Sequence, residues 1–171
     1  MLKPASLRDH LTNLVPFLAA DPERLKMQVT KGRVACPYTG SLSYQYAYDL
    51  QLLIEDYPAH IDSVIVPILA WLAVNQPDHL LNPATAEEAI PFEADLIDHE
   101  RTDLLITLAL TESVAVTLAA GTYTATHIAE PTLPDLGGPA GWEMIAAEIT
   151  AQYLRRDGTA HRDGTHSRSL N

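Results

Sequence analysis

Few residues of this chain have the types and spacing that chemistry needs. Asp95, Asp98, His99 and Glu100 place four metal-ligating side chains close together, a donor set suited to a divalent cation. They straddle the end of an expected strand and the turn after it, where polar residues gather without any metal, and that plainer reading is preferred. Cys36 is the single cysteine, which excludes an intrachain disulfide and a thiolate zinc cluster. It could form a dyad with a distant histidine, but it carries no local signature and reads as a small buried hydrophobe. His161 and His166 lie in a polar terminus without fixed geometry, and any metal there would be adventitious. His10, His60 and His79 fall on or beside expected helices, His127 ends an expected strand, and none has a partner at ligand spacing. Walker and dinucleotide glycine patterns, H-E-x-x-H and G-x-S-x-G are all absent from the sequence. Nothing here supports catalysis, a cofactor or a metal.

Charge carries more information. Eleven bases stand against 22 acids for a net charge of -11, and they are unevenly placed. Residues 1–48 hold six bases and three acids, whereas residues 49–135 hold fifteen acids and one base, Arg101. Such a surface repels a phosphate backbone and an anionic membrane over most of its area. Solubility is the plain consequence. The sharper one is that a weakly basic edge and an acidic edge can meet on neighbouring copies of one subunit.

The elements that would position these charges follow from periodicity. With 171 residues, 47% of them hydrophobic and 19% charged, the chain suits one globular domain. It has no run of eighteen apolar residues and no signal-peptide block, so it is expected to begin in a cytoplasm. Leu7, Leu11, Leu14, Val15 and Leu18 predict an N-terminal helix, with Pro4 in its first turn, Ser6 a candidate N-cap and Pro16 kinking or ending it. Leu25 to Thr30, a Lys31-Gly32 turn and Arg33 to Cys36 predict a short hairpin. Ser41 to Glu55 alternates as one long strand rich in tyrosine. Ile61, Val64, Ile65, Ile68, Leu69 and Leu72 mark a central helix over 58–75, with Pro67 inside it and Pro77 closing it. Ile90 to Ile97 alternates, as do Leu104 to Leu110 and, in the same phase, Val114 to Leu118. Ala120-Gly121 then turns into a last strand, Thr122 to Ile128.

This order predicts an α+β fold: a mixed, mostly antiparallel sheet with an N-terminal and a central helix packed on it. The α+β domain is expected over 1–131, a Pro/Gly linker over 132–141, an amphipathic helix over 142–156 and a flexible polar tail over 157–171. Trp142, Ile145, Ala146, Ile149 and Tyr153 form that helix's apolar stripe. It would dock on its own subunit or serve as an arm that reaches a neighbour.

Several of these residues also carry a resemblance. Met1-Leu2-Lys3-Pro4 with Ser6-Leu7-Arg8, Ser41-Leu42-Ser43, and Val66-Pro67-Ile68-Leu69-Ala70-Trp71-Leu72 running into Asn75-Gln76-Pro77-Asp78 resemble the tail completion protein R (GpR) family of peduovirus-type contractile-tailed phages. Phe92-Glu93-Ala94-Asp95, Leu108-Ala109-Leu110-Thr111-Glu112 and Glu130-Pro131 extend the likeness in order over about 1–131. The resemblance implies a structural protein of a phage or tail-like bacteriocin, placed in the virion tail and assembled in the host cytoplasm. By similarity to tail terminators it implies a tail-terminator-like fold and a hexameric ring. That ring would cap the head-proximal end of the tail tube, end its polymerisation and dock the head. The partners implied are other copies of the chain, the tube, the sheath and the head–tail connector, with DNA only passing through. A non-virion adaptor or chaperone of tail maturation is the alternative. Charge and aromatic content nominate Arg24, Lys26, Lys31, Arg33, Tyr44 and Tyr46, with Trp142, Ile145, Ile149 and Tyr153, for the subunit interface. Glu87, Glu88, Asp95 and Asp98 are nominated to face an acidic lumen, where repelled phosphates make no lasting contact.

Overall fold

The structure, a computed structural model, describes residues 1–38, 40–97 and 101–131. The chain begins with helices α1 (Lys3–Leu14) and α2 (Pro16–Ala20) and a 3-10 turn at Pro22–Arg24. Strands β1 (Leu25–Ala35) and β2 (Tyr44–Tyr57) follow, then helices α3 (Asp62–Asn75), α4 (Pro77–Leu81) and α5 (Pro83–Ala86). Strands β3 (Phe92–Leu96), β4 (Thr102–Ala119) and β5 (Thr122–His127) complete it. This is the expected α+β fold, an open antiparallel sheet with helices on one face. Among the described residues no helix is long and apolar enough to cross a membrane.

The long strand β4 organises the sheet, whose order is β1-β2-β4-β3 with β5 also on β4. Every pairing is antiparallel. Val114 pairs with Tyr44 on one side and His127 on the other, so β3 and β5 share the margin of β4 opposite β2. β3 takes Thr102 to Ile106 and β5 takes Val114 to Ala119.

Period-two alternation sends Leu104, Ile106, Leu108 and Leu110 to the face where Tyr48, Leu50, Leu52 and Ile54 of β2 lie beside them. Leu7, Leu11, Val15 and Leu18 cover that face from α1 and α2, and Val64, Ile68, Trp71 and Leu72 cover it from α3. Between the two helices, Trp71 Nε1 donates to Ser6 Oγ at 3.1 Å, and His10 Nε2 lies 3.0 Å from the Pro67 carbonyl oxygen. Arg8 Nη1 donates to the Leu25 carbonyl at 3.0 Å, tying α1 to the start of β1. The opposite face carries Gln45, Ala47, Asp49, Gln51 and Leu53 beside Leu105, Thr107, Ala109, Thr111 and Ser113, and among the described residues no helix packs over it.

Several local expectations are corrected. Residues 25–36 do not form a hairpin. Lys31-Gly32 interrupts one continuous strand as an irregularity, with Lys31 at φ 47°, and both halves pair with β2. Two residues suited to a turn also suit a bulge, and the length of β2 lets it pair with both halves. The N-terminal helix begins at Lys3, so Ser6 is inside it and serves Trp71 rather than capping. Val15 is extended, which makes Pro16 the start of a new helix. The central helix begins at Asp62 and runs through Pro67, and Pro77 opens α4. Cys36 is exposed and not a core residue. The linker, the 142–156 helix and the polar tail lie outside the described residues.

Leu108, fully buried at the centre of β4, tests this packing. Leu108→Ala should cost about 3 kcal/mol, read as a lower urea midpoint at unchanged slope. Thr107→Ala, one residue away on the helix-free face, should stay within about 0.5 kcal/mol.

Candidate functional site

On the apolar face of β4, one position carries a charge. Glu112 falls between Leu110 and Val114 and is only 4% exposed. It stands where α1 begins, a helix whose own N-cap residue, Leu2, offers no side-chain cap. Glu112 supplies one from a distant strand. Its Oε2 accepts the Leu2 amide at 2.7 Å, and its Oε1 accepts the Lys3 amide at 3.3 Å. The Tyr48 hydroxyl donates to Oε1 at 2.5 Å, and His127 Nδ1 lies 3.1 Å from Oε2. A carboxylate at a helix N-terminus also meets the positive end of the helix dipole.

A second set of bonds continues from Lys3. Its buried Nζ donates to Gln76 Oε1 at 2.7 Å and to Glu130 Oε1 at 2.8 Å. Gln76 Nε2 donates in turn to Asp78 Oδ1 at 2.8 Å and Thr111 Oγ1 at 3.1 Å. Its Oε1 also accepts the Thr111 amide at 3.1 Å, on the stretch of β4 margin that neither β3 nor β5 reaches. Among the described residues no buried side-chain polar atom lacks a partner.

The cluster therefore joins the chain start, the α3–α4 corner, the centre of β4 and the segment after β5. A groove of about 390 Å³ lies above it, with Leu2, Val74, Ile128 and Glu130 among its walls. Leu2, Val74 and Ile128 are exposed there.

Electrostatics follow from this geometry. Burial alone would raise the Glu112 carboxyl, but the bonds from Tyr48, Leu2 and Lys3 and the N-terminal charge outweigh it and hold the group below its ordinary value. Burial, with the bond to Glu112, pushes the Tyr48 phenol far above its ordinary range. Tyr57 is raised by burial, with its bond to Ser63 opposing.

The nominated interface residues lie elsewhere. Arg24 pairs with Asp56 and, at 3.3 Å, with Asp21. Lys26 Nζ is 2.6 Å from Glu55, and Lys31 Nζ is 3.5 Å from Asp49. Arg33 is exposed at the far end of β1. Tyr44 and Tyr46 pack edge to face at 5.1 Å, and Tyr46 stacks on His127 at 6.4 Å, which brings this pair to the rim of the cluster. Glu87 and Glu88 follow α5 and Asp95 lies on β3, all exposed. Asp98, His99, Glu100, Trp142, Ile145, Ile149 and Tyr153 lie outside the described residues. Among the described residues no three His, Cys, Asp or Glu side chains are grouped to hold a metal.

The roles of Lys3, Gln76, Glu112, His127 and Glu130 were missed by sequence reasoning. The available signal was an acid interrupting the apolar phase of the longest strand. Because the carboxyl of Glu112 is held low in the folded chain, its stabilisation is complete above the ordinary carboxylate range. It should be lost as pH falls through the depressed value. Glu112→Gln should cost about 2 kcal/mol at neutral pH, since bonds to a charged group are worth about 1.5–3 kcal/mol, and should flatten the acid limb of a stability–pH curve. Lys3→Met should be destabilising as well, because it removes the ammonium from Glu130 and leaves the Gln76 carbonyl with the Thr111 amide alone.

Comparison with known proteins places this architecture. Residues 1–131 match the family model for P2 phage tail completion protein R (GpR). The chain is 36% identical over 135 residues to tail completion protein R of Escherichia phage P2, covering 79% of this chain and 87% of that protein. No solved structure matches the chain. The segments that carry the resemblance, far apart in sequence, supply Lys3, Gln76, Thr111, Glu112 and Glu130 to one cluster. The chain belongs to the P2 phage tail completion protein R family.

Proposed function

We propose that this protein completes a contractile phage tail as a structural subunit, forming a ring at the head-proximal end of the tail tube. In that position it ends tube polymerisation and presents the surface on which the head connector docks. The observation that carries the reading is the 36% identity to a tail completion protein across most of that protein's length. The form of the described residues supports it: a sheet closed by helices on one face, with open margins and, among those residues, no helix on the other face.

A closed ring needs a heterologous interface, in which one edge of a subunit meets a different edge of the next. The basic residues of β1 and the acids that follow it in the chain supply two such edges. The helix-free face also suits a passage for DNA. Asp49, Glu55, Glu93, Asp95 and Asp103 project from it against Lys26, Lys31 and Arg33. Together with Glu87 and Glu88, they would keep a passing phosphate backbone from sticking. Tube, sheath and connector proteins are the partners of this reading, and residues 142–153 are its candidate docking arm.

The test is complementation. Cells infected by a phage of this type that lacks its own tail completion protein should release tails without heads, and supplying this chain should restore infectious particles containing it. Its absence from purified restored particles would instead favour the adaptor reading. The purified protein should give a species near six times 18.7 kDa in light scattering, dissociating as salt screens its charges. A chain truncated before residue 136 should keep its thermal midpoint, since every core residue described lies before Pro131, while its yield of joined particles falls.

A further inference from the structure

Among the described residues, β1 and β3 leave unpaired margins of matching pattern on opposite sides of the sheet. On β1, Leu25, Met27 and Val29 point to the helix side, while Lys26 and Gln28 point to the helix-free side. On β3, Phe92, Ala94 and Leu96 share the helix side, while Glu93 and Asp95 share the other. All five β3 residues are exposed, with Phe92 at 54% and Leu96 at 75%, an uncovered apolar strip on an edge strand. Unpaired strand edges of this kind template the addition of another strand.

We propose that β1 of one copy pairs antiparallel with β3 of the next, so that the sheet continues from subunit to subunit. In the register with full overlap, Lys26 stands opposite Asp95, Met27 opposite Ala94, and Val29 opposite Phe92. The pairing deepens the ring reading above and rests on it.

Three observations favour this partner. The first is direction. Because all pairings are antiparallel, β1 and β4 run one way and β2 and β3 the other. A copy rotated about an axis along the strands brings its β1 antiparallel to β3. The second is charge. Asp95 lies directly opposite Asp103 of β4, two like charges on one face, and a facing carboxylate pair is destabilising unless a cation joins it. The Lys26 ammonium has three donors and gives one to Glu55, while its side chain remains 59% exposed. The third concerns the competing edge. β5, Thr122 to His127, carries no acid and cannot answer Lys26. At the Lys26 end of the pairing, the Leu25 carbonyl is already taken by Arg8, so that end rests on side chains.

Cysteines test the register, since directly opposed strand positions lie within disulfide reach. In a Cys36→Ser background, Lys26→Cys with Asp95→Cys is supplied to infected cells lacking the tail completion protein. The tails are purified, oxidised and run without reductant. A ladder in multiples of 18.7 kDa, absent from either single variant, is the expected result. A double variant that restores infectivity yet stays at one subunit mass overturns the proposal. Should the double variant fail to fold, charge exchange provides the second arm. Lys26→Asp and Asp95→Lys should each lower particle yield by about tenfold or more, and the two together should recover most of it. If the double exchange yields no more than the poorer single variant, the pairing is again overturned. If the unaltered chain restores no particles, the tail-completion reading fails. Oxidation of the purified double-cysteine protein then still decides whether β1 and β3 meet.

Discussion

The buried carboxylate of Glu112 is the constraint on which much of the remaining structure depends. An acid on the apolar face of a central strand is costly unless its oxygens are bonded. Here the compensation comes from the two amides that open α1, a phenol from β2 and a ring nitrogen from the end of β5. Four separate parts of the chain are thereby held at one point. The orientation of α1 across the sheet, and with it the placement of Leu7 and Leu11 over the core, follows from where its first turn is pinned. Lys3 extends the same constraint to the α3–α4 corner and to Glu130, which sets where the chain leaves the sheet.

The cluster also explains how a strand as long as β4 can have an incompletely paired margin. β3 and β5 cover its two ends, and the Gln76 side chain takes the Thr111 amide between them. A side-chain amide can replace a strand locally because it carries both a donor and an acceptor in one plane. The result, among the described residues, is a sheet with one face closed by helices, one face free of them, and outer strands β1, β3 and β5 that each keep an unpaired edge. Such a subunit is stable alone only to the extent that its margins tolerate water. The charges on the helix-free side of β1 and β3 provide that tolerance, and they are also what gives the margins opposite character.

The fold is compatible with a structural tail-completion role. A subunit that closed a ring would present two different surfaces at a fixed angle, and a sheet with distinct edges would meet that need with few parts. In the proposed ring, opposite charge on those edges would favour one register and disfavour like edges meeting.

Much of the fold was legible in the sequence because it is written in local periodicity. The alternation through Tyr48, Leu50 and Leu52 and through Leu104 to Leu110 identified the two central strands, and the spacing of Val64, Ile68 and Leu72 identified the helix above them. The resemblance identified the family from short segments. Local chemistry misled where one residue pattern serves two structures: Lys31-Gly32 suits a turn and a bulge, and Ser6 suits a cap and a hydrogen bond to Trp71. What only the tertiary structure decided is the meaning of the charged residues. Lys3 meets Glu130 across 127 positions and Glu112 meets Leu2 across 110, separations at which no periodicity records a contact. A buried charge is defined by the partners that desolvation forces on it, and those partners exist only once the strands and helices have been brought together.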